Sequence, residues 1–224
     1  MTAFRGFPRE LFAFYEGLQD NNSKAYWTAN NATWEQHVRP RALRRVPSHA
    51  HVPAQPRRAP RQGQVPLQAL GGRHQRVPCR GRHGLLRYVS VSAAGMVTGC
   101  GAMALARDQL QRFRAALDDD HSGRAFEELR TKLDARSLPV TCGAQPPLKT
   151  GPRGYPPDHP RVELLRWKGA VVIQEYEPAD WMHTPAARDR IREVWHGARP
   201  LKEWIDAPVG ATNEPVRSAR GRQK

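Results

Sequence analysis

The sequence predicts an α+β fold, with helices packed on a mainly antiparallel sheet in a single domain over residues 1–207. Three observations carry this. Stretches with apolar residues three and four apart flank short β-patterned runs. Tyr88–Ser92 alternates residue by residue, and Ala93-Ala94-Gly95 turns it toward a second run at Met96–Met103, the pattern of a hairpin. Ala170-Val171-Val172-Ile173 is the run best suited to a buried strand.

The elements follow in order. Pro8 suits the first turn of a helix reaching Leu18, where its missing N–H costs nothing, and Leu11, Phe12, Phe14, Tyr15 and Leu18 form its apolar face. Asp20-Asn21-Asn22-Ser23 breaks that helix and offers caps for the next, which spans Lys24 to Val38 and puts Trp27 and Trp34 on one side. A packed core is the expected role of the two indoles. After the hairpin, Arg107–Leu117 forms a helix through Leu110, Phe113, Ala116 and Leu117. Asp118-Asp119-Asp120-His121 interrupts it, and Ser122 caps a helix to Ala135 with Phe126, Leu129 and Leu133 inward. Leu138–Thr141 starts a short strand. The irregular segment Pro146–Pro160 follows, and Asp158 caps a helix over 161–167 ended by Gly169. Two helices close the domain, Ala186–Gly197 after Thr184-Pro185 and Pro200–Asp206. The polar tail 208–224 is expected to be disordered.

Composition excludes several classes. Six Trp, six Phe and five Tyr among 224 residues supply too many anchors for a wholly disordered chain. No run of 18 apolar residues is present, so no membrane partner is expected. The opening MTAFRGFPRELF lacks an apolar signal region, and three cysteines (Cys79, Cys100, Cys142) make no disulfide framework, so a cytoplasmic location is expected.

The net charge of +15 is concentrated. Between Pro40 and Arg87 lie eleven Arg and seven Pro, with no Lys, Asp, Glu, Phe, Tyr or Trp, which leaves +4 for the other 176 residues. Prolines interrupt every helical period there. The segment reads as disordered, and as a source of phosphate attraction if it is biological.

The chemistry-bearing patterns are few. Glycine-rich phosphate loops, metalloprotease and zinc spacings and the nucleophile elbow are absent. Asp118, Asp119 and Asp120 are contiguous and diverge on a short loop, unlike the alternating ligands of a calcium loop, so no metal is expected. No nucleophile, base and orienting group assemble, so the catalytic residues and any cofactor stay unassigned. The remaining candidate is cationic. Lys149, Arg153, Tyr155, His159, Arg161, Arg166 and Lys168 occupy twenty residues of a Pro- and Gly-rich loop that can aim Lys and Arg at a phosphate or carboxylate, helped by the helix N-terminus after Asp158. The competing reading makes these charges a solvated rim paired with Asp158 and Glu163. The expected partner is an anionic small molecule. The alternatives are a nucleic acid held by the Arg-rich segment and an interaction module using the Trp-rich helices.

An ordered series of motifs carries a resemblance. It comprises Phe4-x-Gly6-Phe7-Pro8, Asn21-Asn22-x-Lys24-x-Tyr26-Trp27, the Tyr88–Ser92 strand, Leu148-Lys149-Thr150, Pro152-Arg153-Gly154-Tyr155, Asp158-His159-Pro160-Arg161, Leu164-Leu165-Arg166-x-Lys168-Gly169 and Trp181-x-His183-Thr184-Pro185. The chain resembles the mostly bacterial family DUF2461 over residues 3–38 and 88–207. The resemblance implies a family and no reaction, because the family's biochemistry is not established. It also implies, ahead of the Tyr88 strand, a segment like R-P-x-R-D-x-R-F-x-K-D-K-S-P-Y-K, which this chain lacks. Moving the reading frame of Pro53–Ala69 by one nucleotide, with synonymous codon choice, restores a series of that kind ending Lys, Asp, Lys, Ser, Pro, Tyr, Lys. Residues 40–87 therefore read as the product of a compensated double frameshift, which damages any polar site the lost residues served.

Overall fold

A computed structural model describes residues 4–38, 79–80 and 86–212. The elements are α1 (Arg9–Asp20), α2 (Lys24–Ala29), α3 (Asn31–Thr33), a π-helical turn (Trp34–Val38), β1 (Cys79–Arg80), β2 (Leu86–Ser92), β3 (Gly95–Ala102), α4 (Arg107–Asp118), α5 (Asp120–Asp134), β4 (Val140–Thr141), α6 (Val162–Leu165), β5 (Ala170–Tyr176), a 3₁₀ turn (Asp180–His183), α7 (Ala186–Gly197) and α8 (Arg199–Val209). The strands are ordered β1-β2-β3-β5-β4. Strand β4 runs antiparallel to β5, with Val140 opposite Val172 and Thr141 opposite Val171. Strand β3 is antiparallel to β5 as well, since Gly95 lies against Tyr176 while Gly101 lies against Ala170. With the two-residue turn of the β2–β3 hairpin, this is the α+β architecture with an antiparallel sheet that the sequence predicts.

Several boundaries move. The helix expected over 24–38 is α2, α3 and a π turn in succession, with Asn30 donating from its amide back to the Tyr26 carbonyl at the first break. Strand β5 continues three residues past Ile173, and α8 runs to Val209 rather than ending at Asp206. Cys79–Arg80 forms β1 and Leu86–Arg87 opens β2, so the last part of the segment set apart at 40–87 contributes to the sheet. The rest of that segment (40–78 and 81–85) and the tail from 213 lie outside the described residues.

The described residues form two compact units, with β3 and β5 each supplying residues to both. The first takes 4–38, 79, 87–98 and 174–194. Leu11, Phe12, Phe14, Tyr15 and Leu18 of α1 are all buried, as their spacing requires. Phe14 is the hub of an aromatic cluster, with ring centroids 5.4 Å from Trp27, 5.6 Å from Trp34 and 5.7 Å from Tyr26. Trp27 and Trp34 meet edge to face at 5.3 Å, but both indoles are only half-buried, so the pair flanks the core of α1 rather than filling it. The Tyr26 hydroxyl donates to the Phe14 carbonyl at 2.8 Å, and burial pushes its pKa up.

Two distant motifs meet in this unit. The Phe7 N–H donates to the Met182 carbonyl at 2.8 Å, and His183 Nδ1 lies 2.9 Å from the Phe7 carbonyl, which makes Nδ1 the protonated nitrogen. The His183 ring also packs edge-on against Phe12, with centroids 5.2 Å apart. Gly6 makes this approach possible: its φ is +120°, and a Cβ there would fall 2.1 Å from the His183 carbonyl carbon.

The second unit takes 80, 86, 99–173 and 195–212. Phe113, Phe126, Leu117, Leu133, Leu165, Leu201 and Ile205 form its core. Phe126 lies 4.5 Å from Trp204, whose indole N–H donates to the Ser122 carbonyl. Arg112 and Gln109 of α4 collect the end of α8: Arg112 donates to the carbonyls of Val209 (2.6 Å) and Ala211 (2.7 Å), and Gln109 to that of Gly210 (2.9 Å). The Val209 carbonyl is one of those a helix leaves unpaired at its C-terminus, and the bonds to Gly210 and Ala211 hold the chain that leaves it.

Gly6→Ala is expected to lower the unfolding free energy by about 2 kcal/mol or more, because the residue is both strained and blocked by backbone. Arg5→Ala, at an exposed neighbouring position, is expected to stay within about 0.5 kcal/mol. Denaturant titration of the two variants checks this.

Candidate functional site

The irregular loop that carries the predicted cations lies in the second unit, and the structure sorts those cations by what they touch. Arg161 is the most buried of them, at 5% exposure. Its Nη1 donates to the carbonyls of Leu117 (3.1 Å) and Asp118 (3.3 Å), its Nη2 to Asp120 Oδ1 (3.1 Å) and its Nε to Glu127 Oε2 (3.2 Å). The guanidinium thus caps the C-terminus of α4 and grips the first turns of α5. Burial disfavours its charge, but the bonds to Asp120 and Glu127 outweigh burial and raise its pKa. Gly123 leaves the space: a Cβ there would lie 2.6 Å from Arg161 Cζ and 2.5 Å from the Leu117 carbonyl oxygen.

His159 lies beside it. Its Nε2 is 3.0 Å from Asp118 Oδ1, and its Nδ1 accepts the Arg161 backbone N–H at 3.0 Å. An Nδ1 that accepts carries no proton, so the ring is the Nε2–H tautomer donating to Asp118. Both nitrogens are occupied, and His159 is a fastener rather than a general base. The ring of Tyr155 meets that of His159 edge-on at 6.3 Å. Burial and the nearby Asp118 carboxylate push the Tyr155 phenol up, and Arg114 partly offsets them, so the hydroxyl keeps its proton at neutral pH.

Arg166 is also committed. It pairs with Glu163 at 2.8 Å, as the rim reading expects, and its Nε donates to the Leu148 carbonyl, while the Leu148 N–H donates back to the Arg166 carbonyl. Lys149 and Arg153 are exposed and Lys168 is half-buried, and the side chains of these three have no partner among the described residues.

Three expectations are corrected here. Arg161 is not open to an external anion, because protein acceptors engage all three of its nitrogens, and Arg166 spends Nε on Leu148 and Nη1 on Glu163. His159 has an acidic partner, Asp118, which the sequence does not reveal because it lies 41 positions away. No capped helix follows Asp158: α6 is four residues long, begins at Val162 and has Arg161 at its N-cap without a side-chain bond. A single turn offers no anion-binding terminus. Helix α5 likewise starts at Asp120, capped by Asp119, whose carboxylate accepts the Ser122 N–H at 2.8 Å. The three consecutive aspartates diverge as expected, to His159, to the cap and to Arg161.

The residues that sequence reasoning missed are Arg114, Asp118, Asp120, Gly123 and Glu127. Arg114 and Asp118 are one helical turn apart on α4 and share a face, a spacing that places them together but does not say what covers them. A cleft of about 450 Å³ along α5 is lined by Asp120, His121, Arg124, Ala125 and Glu128. It mixes both signs of charge and includes neither Tyr155 nor His159. Among the described residues, no group of three or more His, Cys, Asp or Glu is placed to hold a metal ion, and no helix is long and apolar enough to cross a membrane.

Comparison with protein families matches residues 72–204 to Conserved hypothetical protein (DUF2461). The chain belongs to this family. No curated protein and no solved structure matches it. The DUF2461 match contains every residue of the Arg161 clamp and of the loop. It begins at 72, within the Arg- and Pro-rich segment, and takes in β1 and the start of β2. The match therefore reaches further toward the N-terminus than the Tyr88 strand, while the motifs within 4–38 lie outside it.

Arg161→Met is expected to cost about 2–4 kcal/mol, chiefly from the helix-end carbonyls left without donors; the carboxylate partners are more exposed and contribute less. Arg161→Lys recovers little, since a point charge cannot span the same acceptors. Glu163→Ala, which removes an exposed pair, is expected to change stability by less than about 0.5 kcal/mol. Unfolding curves of the three variants check this.

Proposed function

We propose that the chain binds a small anionic molecule on the loop between Leu148 and His159. The observation that supports this is the division of labour among the cations. Arg161 and Arg166 hold the loop, and Lys149 and Arg153 on the same loop are exposed and have no charge partner among the described residues, alongside a Tyr155 hydroxyl that stays protonated. A held loop pays less ordering entropy on binding than a free one. Lys168 adds charge at the end of the same stretch. The reading assigns no covalent chemistry, since His159 has no free nitrogen. We propose a cytoplasmic location with it, which so low a cysteine content suits.

We propose further that, of the segment 40–87, the part ahead of the family match, 40–71, stands in place of native family residues through a compensated change of reading frame. What supports it is that the alternative frame over Pro53–Ala69 restores a charged series. The Arg, Asp, Lys and Tyr so lost would have added polar groups to the protein, so binding is weaker here than in a chain with the frame restored.

The double variant Lys149→Ala/Arg153→Ala is expected to weaken binding of inorganic phosphate at least tenfold in calorimetric titration, with the melting temperature unchanged. Phosphate binding equal to that of the parent chain would overturn the reading. Binding that survives this variant but disappears when 40–71 is deleted would instead favour the nucleic-acid alternative. The frame reading is checked by the coding DNA of this region, where an uninterrupted frame without compensating insertion and deletion in close relatives would sink it.

A further inference from the structure

One cation that the sequence reading passes over is better placed for an oxyanion than those it names. Arg114 lies in the third turn of α4 and is half-buried. Its Nε donates to the Leu165 carbonyl at 2.9 Å, at the end of α6. That bond fixes the plane of the guanidinium. The N–H groups of Nη1 and Nη2 have no acceptor among the described residues, in contrast to those of Arg161 a short distance along the same junction. A guanidinium anchored through Nε presents its terminal edge as a fork, the geometry that takes two oxygens of a carboxylate or phosphate at once.

The surroundings match. Asp118, one turn further along α4 on the same face, fastens His159 at 3.0 Å, and the His159 ring meets Tyr155 at 6.3 Å. Those contacts lay Tyr155 over the face of α4 that displays Arg114, and its hydroxyl likewise has no partner among the described residues. The Asp118 carboxylate would repel an anion, but the His159 N–H engages one of its oxygens. Burial pushes the Arg114 pKa down and Tyr155 offsets part of this, yet a guanidinium starts so far above neutrality that it remains charged. The cost of partial desolvation is already met in the folded protein, so an arriving oxyanion gains the full benefit of the charge.

We propose that Arg114 and the Tyr155 hydroxyl form the recognition centre for one oxyanion of the ligand, a phosphate monoester or a carboxylate, with Arg114 giving a bidentate contact and Tyr155 a single donated bond. This rests on the anion-binding reading above and identifies its centre; Lys149 and Arg153 then supply attraction at the rim.

The test titrates the full chain with inorganic phosphate and, separately, with acetate. Arg114→Gln is expected to lower affinity for the preferred ion at least tenfold, and Arg114→Lys to recover only part of it, since a point charge replaces the fork. Tyr155→Phe keeps the ring on His159, removes only the hydroxyl and is expected to cost about threefold to tenfold. Because this variant leaves the packing intact, it reads out even where an Arg114 variant is unstable. Tighter binding of phosphate assigns a phosphate ligand, and tighter binding of acetate assigns a carboxylate. Parent-like affinity in both Arg114→Gln and Tyr155→Phe, with binding lost in Lys149→Ala/Arg153→Ala, overturns the assignment and leaves the rim reading standing. No binding of either ion by the parent chain overturns both.

Discussion

The guanidinium of Arg161 organises the second unit. Where α4 ends and α5 begins, the chain reverses with only Asp119 between the helices, and such a reversal leaves carbonyl groups of α4 with no intrahelical partner. Leu117 is fully buried, so its carbonyl has no access to bulk water. A buried acceptor left unsatisfied costs about 1–3 kcal/mol. Arg161 reaches in from the irregular loop and supplies the donors, then binds Asp120 and Glu127 on the far side of the turn. Only a planar fork with several N–H groups can do this at once, and only a glycine at 123 leaves room for it. The same contact that closes the helical junction therefore also ties down the loop.

From that constraint the loop follows. His159, two residues before Arg161, accepts the Arg161 N–H and passes its own proton-bearing nitrogen to Asp118. Tyr155 packs on His159. On the other flank, the Leu148 N–H donates to the Arg166 carbonyl and the Arg166 side-chain Nε donates back to the Leu148 carbonyl. A segment dense in Pro and Gly, with little hydrogen bonding of its own, is thus held at both ends by side chains that sequence inspection would assign to ligand binding. Conserving donors for the fold and offering donors to a ligand are different tasks, and here they fall to different arginines of similar local sequence context.

Legibility in the sequence divides along the same line. The amphipathic helices, the hairpin and the buried strand were readable because their signals are periodic and local: Leu11 to Leu18 repeats at helical spacing, and Tyr88 to Ser92 alternates. The broken helix over 24–38 was not, because a π turn at Trp34–Val38 follows from how the indoles pack on Phe14, not from a local breaker residue. The site was legible as a place and illegible as an arrangement. Cations clustered between 149 and 168 pointed to the correct loop. The partners of His159 and Arg161 sit 34 to 44 positions upstream, and no spacing rule connects residues across that separation.

Net charge shows why the arrangement matters more than the count. Eleven of the +15 lie in the acid-free stretch 40–87, six of them ahead of the family match and five inside it, so the total says little about how charge is arranged in the DUF2461 fold. Within the fold, formal charge again misleads, because a charged residue spends its donors on the nearest acceptors before anything else can use them. Among the described residues, Arg161 has spent all of its nitrogens, Arg166 has spent Nε on Leu148 and Nη1 on Glu163, and Arg114 has spent only Nε. Recognition of an anion depends on the unspent remainder, and that quantity is set by helix ends and loop carbonyls that have no signature in composition. A half-buried arginine with one anchored nitrogen and a free terminal edge is consequently a stronger binding feature than several fully exposed lysines: its orientation is already fixed, and its charge is already partly stripped of water.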